Sequence, residues 1–348
     1  MKSYSKHILL LTPGFPKDEN DFHCIPPLQE FLKKLNQSHS NILISVIAFQ
    51  YPYQRKSYLW HGFKIIPLQG MNNKIKKPLV WLNAINEATK IHRVQPVSAI
   101  HSLWLGECAM IGNFLSKKFI CKHFCTLMGQ DVKQSNLYLK ILKNKKINFI
   151  ALSKNQANQF FRITKRKFDD IIHWGIDDQI NMNPKRDIDL LGVGSLIPLK
   201  NYSLLIETVD KVSRTYPNIK CKIVGSGPEL SGLKKITEEK GITNNIEFTG
   251  LLTREEIFKL MQRSKILAHP SKFEGSGYVF AEALVNGMNI VSFNVGYAQN
   301  HSKWFIAEDD EDFIKITKKI LGEKLNFEPV NLFPLQETVD KYFTLYNS

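Results

Sequence analysis

The stretch FEGSGYVFAEALVNG, residues 273–287, gathers the residue types best suited to chemistry. Gly275, Ser276 and Gly277 stand where a strand turns tightly into a helix and where a ligand can approach the backbone. A helix starting near Gly277, with Tyr278 and Val279 in its first turn, offers unsatisfied N–H groups and the positive end of its dipole. Such an end is a natural phosphate seat. Glu274 precedes the seat, and Glu282 follows Glu274 by eight residues, two helical turns in. Carboxylates so placed can hold hydroxyl groups on either side of a bound phosphate. Lys200 lies in VGSLIPLKNYSLLIETV (193–209), after a strand ending at Gly194 and before a helix from Asn201. A lysine at the carboxyl end of a strand can neutralise a phosphate.

These residues sit in a repeating rhythm of short apolar strand, turn and amphipathic helix. Strands are expected at 7–12, 42–49, 97–102, 122–128 and 147–153, then at 187–196, 219–227, 245–250, 265–271 and 288–293. Helices are expected at 27–36, 202–216, 254–263 and 277–286, with a last one at about 334–346. Near-continuous apolar strands alternating with helices imply parallel sheets covered on both faces. The rhythm runs twice, interrupted by a polar stretch at 175–187. Three segments follow: 1–180 and 181–330, each a doubly wound Rossmann-like α/β domain, and 331–348, a helix expected to pack back on the first domain. Two such domains would face each other across a cleft, since ligands sit beyond the carboxyl ends of the strands.

The glycines of IVGSGP (223–228) lack the third glycine of a dinucleotide fingerprint and read as turn geometry. TPGFPKDENDFH (12–23), with Gly14, is a Pro/Gly-rich loop after the first strand. No Walker lysine loop, no G-x-S-x-G and no H-E-x-x-H is present. The chain has 348 residues, 43% of them apolar, which suits two globular domains and not disorder. Its net charge of +15 lies wholly in residues 1–180, with 26 Lys and Arg against 11 Asp and Glu; the remainder has 21 of each. The basic runs KIKK (74–77) and KQSNLYLKILKNKK (133–146), the second read as helix-like, could meet an anionic membrane surface. Without a zinc-finger or RNP-type motif, nucleic acid is not an expected partner. Five cysteines form no C-x-x-C and read as reduced thiols in a cytoplasmic protein. The start, MKSYSKHILLLTPGF, has too short an apolar run for a signal peptide, and no segment is long enough to span a membrane.

Taken together, VGSLIPLKNYSLLIE, IVGSGPEL, FTGLLTREEIFKLMQRSKILAHPS and FEGSGYVFAEAL resemble, in order and spacing across about 187–293, glycosyltransferase family 4. These are the retaining nucleotide-sugar transferases of the GT-B fold. The first half resembles the family more loosely, through IHSLW (100–104), TLMGQDV (126–132), ALSKNQANQF and HWGID (173–177). The resemblance implies that Lys200 holds the donor diphosphate and that Gly277, Tyr278 and Val279 cap its distal phosphate. It implies that Glu282 bonds the ribose, Glu274 the transferred sugar, and that Gly250, Leu251 and Leu252 lie near the base.

The departures are specific. Ser195 stands where the family usually has a basic residue, so one of two diphosphate cations is lacking. Only Gly14 remains of the usual Gly-Gly after the first strand. Leu103 and Met128 replace family histidines, which leaves His101 as the first domain's candidate catalytic residue, with His23 and His173 behind it. The expected function is transfer of a sugar from a UDP- or GDP-sugar to a glycan or lipid-linked acceptor, metal-independent, with the donor as substrate and no cofactor. A nucleotide-sugar epimerase of the same architecture, or a nucleotide-sugar-binding protein with a decayed site, fits the same motifs.

Overall fold

The structure is a computed structural model that describes residues 4–179 and 184–348. The chain divides into two compact units, 1–175 with 335–348, and 176–334.

The first unit is built on strands β1 (Lys6–Gly14), β2 (Ile42–Tyr51), β3 (Tyr58–Trp60), β4 (Phe63–Pro67), β5 (Ala99–Leu103), β6 (Lys122–Thr126), β7 (Asn148–Ala151) and β8 (Asp170–Ile171). They form one sheet in the order β3-β4-β2-β1-β5-β6-β7-β8, parallel except for the β3–β4 pair. Its helices are α1 (Pro26–Ser38), α2 (Lys77–Val94), α3 (Glu107–Phe119), α4 (Leu137–Leu142) and α5 (Lys154–Thr164), joined from the far end of the chain by α11 (Leu335–Asn347). β1 is apolar without alternation because both its faces are covered. Leu9 and Leu11 pack with Val80, Ala84 and Ala88 of α2 and with Ile111 and Leu115 of α3. Ile8 and Leu10, on the opposite face, are equally buried. Each such leucine stabilises the unit by roughly 2 kcal/mol.

The second unit carries β9 (Ile188–Val193), β10 (Cys221–Val224), β11 (Ile246–Gly250), β12 (Ser264–His269), β13 (Asn289–Phe293) and β14 (Trp304–Ala307). Their order is β11-β10-β9-β12-β13-β14, every pair parallel. Helices α6 (Tyr202–Ser213), α7 (Leu230–Glu239), α8 (Arg254–Arg263), α9 (Tyr278–Val285) and α10 (Asp310–Leu321) connect them. The strand order reverses direction at β9 and β12, which makes the carboxyl ends of these neighbours the place for a ligand. α8 begins sharply at Thr253, which forms a capping box with Glu256.

The boundary drawn from composition at 180/181 falls outside the described residues. The contacts divide the chain after Gly175, because the Ile176 N–H already donates to Phe333 O of the second unit at 2.8 Å. At the other end the division falls before Leu335 rather than at 330/331, since Asn331 also bonds Ile176 O. One expected element is much shorter than its sequence pattern. Of the basic stretch 133–146 only Leu137–Leu142 is helical. The Asn136 side chain caps that helix by accepting from Tyr138 N–H and ties it down by donating to Leu105 O and Asp131 O. Residues before it are thereby held in a turn.

Candidate active site

Two loops at the carboxyl ends of β9 and β12 bring Lys200 and Glu274 together. Lys200 closes a short 3-10 turn, Pro198–Lys200, and Asn201 in a left-handed conformation then starts α6. The Lys200 ammonium donates to Glu274 Oε1. The same oxygen accepts from His269 Nε2 at 2.7 Å, at the very end of β12. All three side chains are largely buried. Burial alone would raise the Glu274 pKa, but His269 and Lys200 overcome it and hold the carboxyl down at about 2. The His269 pKa is lowered by burial, against the pull of Glu274, so at neutral pH the imidazole is an uncharged donor. Lys200 therefore supplies the positive charge that keeps Glu274 ionised. Glu274 Oε2 takes no hydrogen bond among the described residues, so it is open to a ligand hydroxyl.

Three residues beyond Glu274 the chain enters α9 through Gly277, whose φ is +69°. A Cβ there would lie 2.5 Å from the Phe280 ring, so only glycine fits on both grounds. Gly277 has no side chain to cap the helix, and within the first turn the Phe280 N–H donates to Gly277 O at 2.8 Å. The Phe280 ring packs edge-on against His269, with centroids 4.9 Å apart, and so fixes the imidazole behind the carboxylate. The Ser276 carbonyl is tied by the Tyr297 N–H at 2.8 Å. Gly225 serves the same region differently: a Cβ there would collide with Gly194 O, so the glycine lets β9 and β10 end side by side.

Glu282, one turn deeper in α9, accepts from Arg254 Nε at 3.2 Å. The Arg254 guanidinium lies over the rings of Phe258 and Tyr278. Gly250 ends β11, and Leu251 and Leu252 follow it in the short loop to α8, with Leu251 exposed. Ser195 is exposed, and no basic side chain takes its place in that loop other than Lys200.

In the first unit the sequence candidates have other tasks. His101 is fully buried in β5. Its Nδ1 bonds Tyr346 Oη at 2.7 Å and its Nε2 bonds Thr126 Oγ1 at 2.8 Å. Thr126 Oγ1 in turn meets Tyr342 Oη at 2.8 Å. Burial drives the His101 pKa down to about 3. In this structure one His101 nitrogen bonds Tyr346 of α11 and the other Thr126 of β6, and the ring is 0% exposed, so the structure does not bring it together with the second unit's candidates. Asp131 of the TLMGQDV stretch accepts from the N–H groups of Leu105, Met128 and Gly129 and holds two loops together. His173 Nδ1 meets Leu152 O at 2.6 Å, and His23 is exposed. Gly14 ends β1, its carbonyl accepting from Thr12 Oγ1.

Three second-unit residues escaped the sequence reading. His269 was visible only as part of a strand, although a histidine five residues before Glu274 at a strand end was the available signal. Arg254 opens an amphipathic helix and looks like an ordinary helix-start charge. Tyr202 is 1% exposed, and its hydroxyl has no partner among the described residues. Its pKa is pushed up by burial and by the nearby Glu274. A Cβ on Gly194 would sit 3.1 Å from that hydroxyl, which places it in the same loop as Lys200.

Residues 176–316 match the family described as Glycosyl transferases group 1. The gpi3 subunit of phosphatidylinositol N-acetylglucosaminyltransferase from Schizosaccharomyces pombe is 24% identical over 131 residues, 36% of this chain and 29% of that protein. A GDP-mannose-dependent phosphatidylinositol monomannoside mannosyltransferase of Mycobacterium tuberculosis is 25% identical over 135 residues, 36% of this chain and 35% of the relative. The matches thus span about a third of the length of these curated relatives. The crystal structure of Anabaena HepE in complex with UDP and glucose superposes with a TM-score of 0.73 at 16% identity, covering 98% of this chain and 99% of that one.

Proposed function

We propose that this chain, a GT-B protein whose second unit belongs to the Glycosyl transferases group 1 family, moves a sugar from a UDP- or GDP-sugar to a hydroxyl of a glycan or lipid-linked acceptor. The observation that carries this reading is the Lys200–Glu274–His269 cluster set directly before the glycine-started helix α9. The diphosphate would lie against the first turn of α9, where amide dipoles and the Lys200 ammonium oppose its charge. An ammonium has three donors, so Lys200 can serve Glu274 and a phosphate oxygen together. Glu274 Oε2 would accept from a hydroxyl of the transferred sugar, and Glu282, oriented by Arg254, from the ribose.

In the reaction the bond between the sugar's anomeric carbon and the diphosphate oxygen breaks, its electron pair leaving with the phosphate. The acceptor oxygen bonds the same carbon from the same face, and its proton passes to the departing phosphate oxygen. This route retains the anomeric configuration and asks the protein for orientation and charge stabilisation, not for a general base. We propose that it is metal-independent and that the first unit carries the acceptor. The names of the curated relatives support an acceptor on a phosphoinositide-type lipid, and the UDP in HepE supports a nucleoside diphosphate donor. Five free thiols support a reducing compartment, so we place the enzyme in the cytoplasm at the inner face of the membrane.

The test is a panel of UDP- and GDP-sugars read by thermal shift and by nucleoside diphosphate release with lipid and glycan extracts. A true donor at about 100 times its Kd raises stability by about 2.7 kcal/mol. Release together with a new glycoside is expected, and it persists in excess chelator. Binding without release supports a decayed site, and an isomerised nucleotide sugar supports an epimerase.

A further inference from the structure

The helix α2 is apolar on two sides. Val80, Ala84 and Ala88 face the core, as a helix of the first unit requires. Yet Leu79 and Leu82, three apart on this helix, are each 59% exposed, and Ile75, in the turn just before it, is 90% exposed. The short helix α4 repeats the pattern: Leu139 and Leu142 are buried, while Leu137 and Ile141, four apart, are exposed. The two stripes are neighbours. The Lys77 ammonium at the start of α2 stands 5.1 Å over the Tyr138 ring of α4 and 5.5 Å over Trp81. Exposed leucines that gather on one face mark a contact surface, whereas scattered ones need no explanation.

The charge around these stripes has one sign. Residues 71–82 carry three lysines and 133–146 carry five, and neither segment contains an Asp or Glu. Lys74, Lys76, Lys133 and Lys140 are exposed. The first unit as a whole holds 27 Lys and Arg against 11 Asp and Glu, while the second holds 20 against 21. A partner must therefore offer negative charges in a plane and an apolar layer just beneath them. Nucleic acid has the phosphates but no apolar layer for Ile75 or Leu137.

We infer that the first unit docks on an anionic phospholipid bilayer through this one surface, with the lysines at the phosphate level and the Ile and Leu side chains in the headgroup–acyl boundary. The inference deepens the proposed transfer to a lipid-linked acceptor by naming the surface that meets the lipid, and it rests on that reading for its purpose only. Each lysine near such a surface strengthens binding about fivefold, and salt screens that contribution. The apolar stripes supply a part that salt does not remove.

The experiment is co-sedimentation of the full chain with vesicles of phosphatidylcholine alone or with added phosphatidylglycerol, at low and high salt. Two variants accompany it, Lys74→Glu/Lys133→Glu/Lys140→Glu and Ile75→Ser/Leu79→Ser/Leu137→Ser. All six side chains are exposed, and far-UV circular dichroism with tryptophan fluorescence, four of the five tryptophans lying in the first unit, confirms that each variant is folded. Binding only to the anionic vesicles is expected, lost at least about 100-fold in the charge variant. The apolar variant should bind at low salt and release completely at high salt. Equal binding to neutral vesicles, no binding at all, unaltered binding by either variant, or duplex DNA competing at equal phosphate concentration would overturn it. Loss of sugar transfer with intact vesicle binding would instead count against the proposed activity alone.

Discussion

Each unit contains a buried histidine with a lowered pKa and close polar partners, and the two do opposite things. His101 of the first unit is enclosed by Thr126 and Tyr346, both neutral. His269 of the second donates to Glu274, a carboxylate shared with Lys200. Burial and a perturbed pKa therefore do not by themselves mark a site. What separates the two is charge: an ionised pair with a spare carboxylate oxygen, set against a helix end that only glycine can begin. Both nitrogens of His101 are bonded inside the core, so its ring has nothing left for a ligand.

The largest effect that would break this contrast is at Lys200. Lys200→Ala should lower kcat about 100-fold, roughly 3 kcal/mol of transition-state stabilisation, in a protein that remains folded. Steady-state turnover with the donor found in the sugar panel checks it. Next is His101→Phe, which should leave kcat per folded molecule unchanged while lowering stability by roughly 2 to 4 kcal/mol, because Tyr346 and Thr126 lose their partner in the core. Denaturant melts beside activity measurements separate the two readouts.

Acid sharpens the same contrast. A group whose folded pKa is depressed contributes stability that is present above its unfolded pKa and lost as pH falls. For His101 that loss runs from its ordinary 6.5 down towards about 3, and buried His123 behaves alike. For Glu274 it runs from 4.5 towards about 2. His269 of the second unit loses stability over the same range, but the first unit holds four histidines with lowered pKa, His7, His101, His123 and His173, so it should loosen more than the second as pH is lowered from 7 to about 5. Tryptophan fluorescence reports this, since Trp60, Trp81, Trp104 and Trp174 lie in the first unit and Trp304 alone in the second. The smallest expected change is at Arg254. Arg254→Gln should raise the donor KM severalfold with little change in kcat, since it orients Glu282 through a partly exposed pair worth about 1 kcal/mol.

The second unit was legible where local physics decides local structure. α8 was expected and found at 254–263, because Thr253 and Glu256 form a capping box that a sequence displays openly. The turn glycines of 225–227 and Gly277 were likewise readable, since a positive φ or a close approach demands glycine. Expected strands ran one to three residues too long at several ends, as in 187–196 against Ile188–Val193, because loop residues continue the apolar composition. The 133–146 helix failed for a tertiary reason: Asn136 is bonded to Leu105 and Asp131, contacts invisible to periodicity. The surroundings of His101 were hidden for the same reason, since its partner Tyr346 lies 245 residues away. The role of His269 rests on Phe280, which packs against it, and on Lys200, which shares its Glu274 partner, and these come together only in the folded unit.

The most direct measurement is nucleotide-sugar turnover by the unaltered protein, Lys200→Ala and His101→Phe side by side, each normalised to folded protein. The account predicts that the first and third release nucleoside diphosphate at equal rates and that Lys200→Ala is slower by about 100-fold. Full turnover in Lys200→Ala, or its loss in folded His101→Phe, would contradict it.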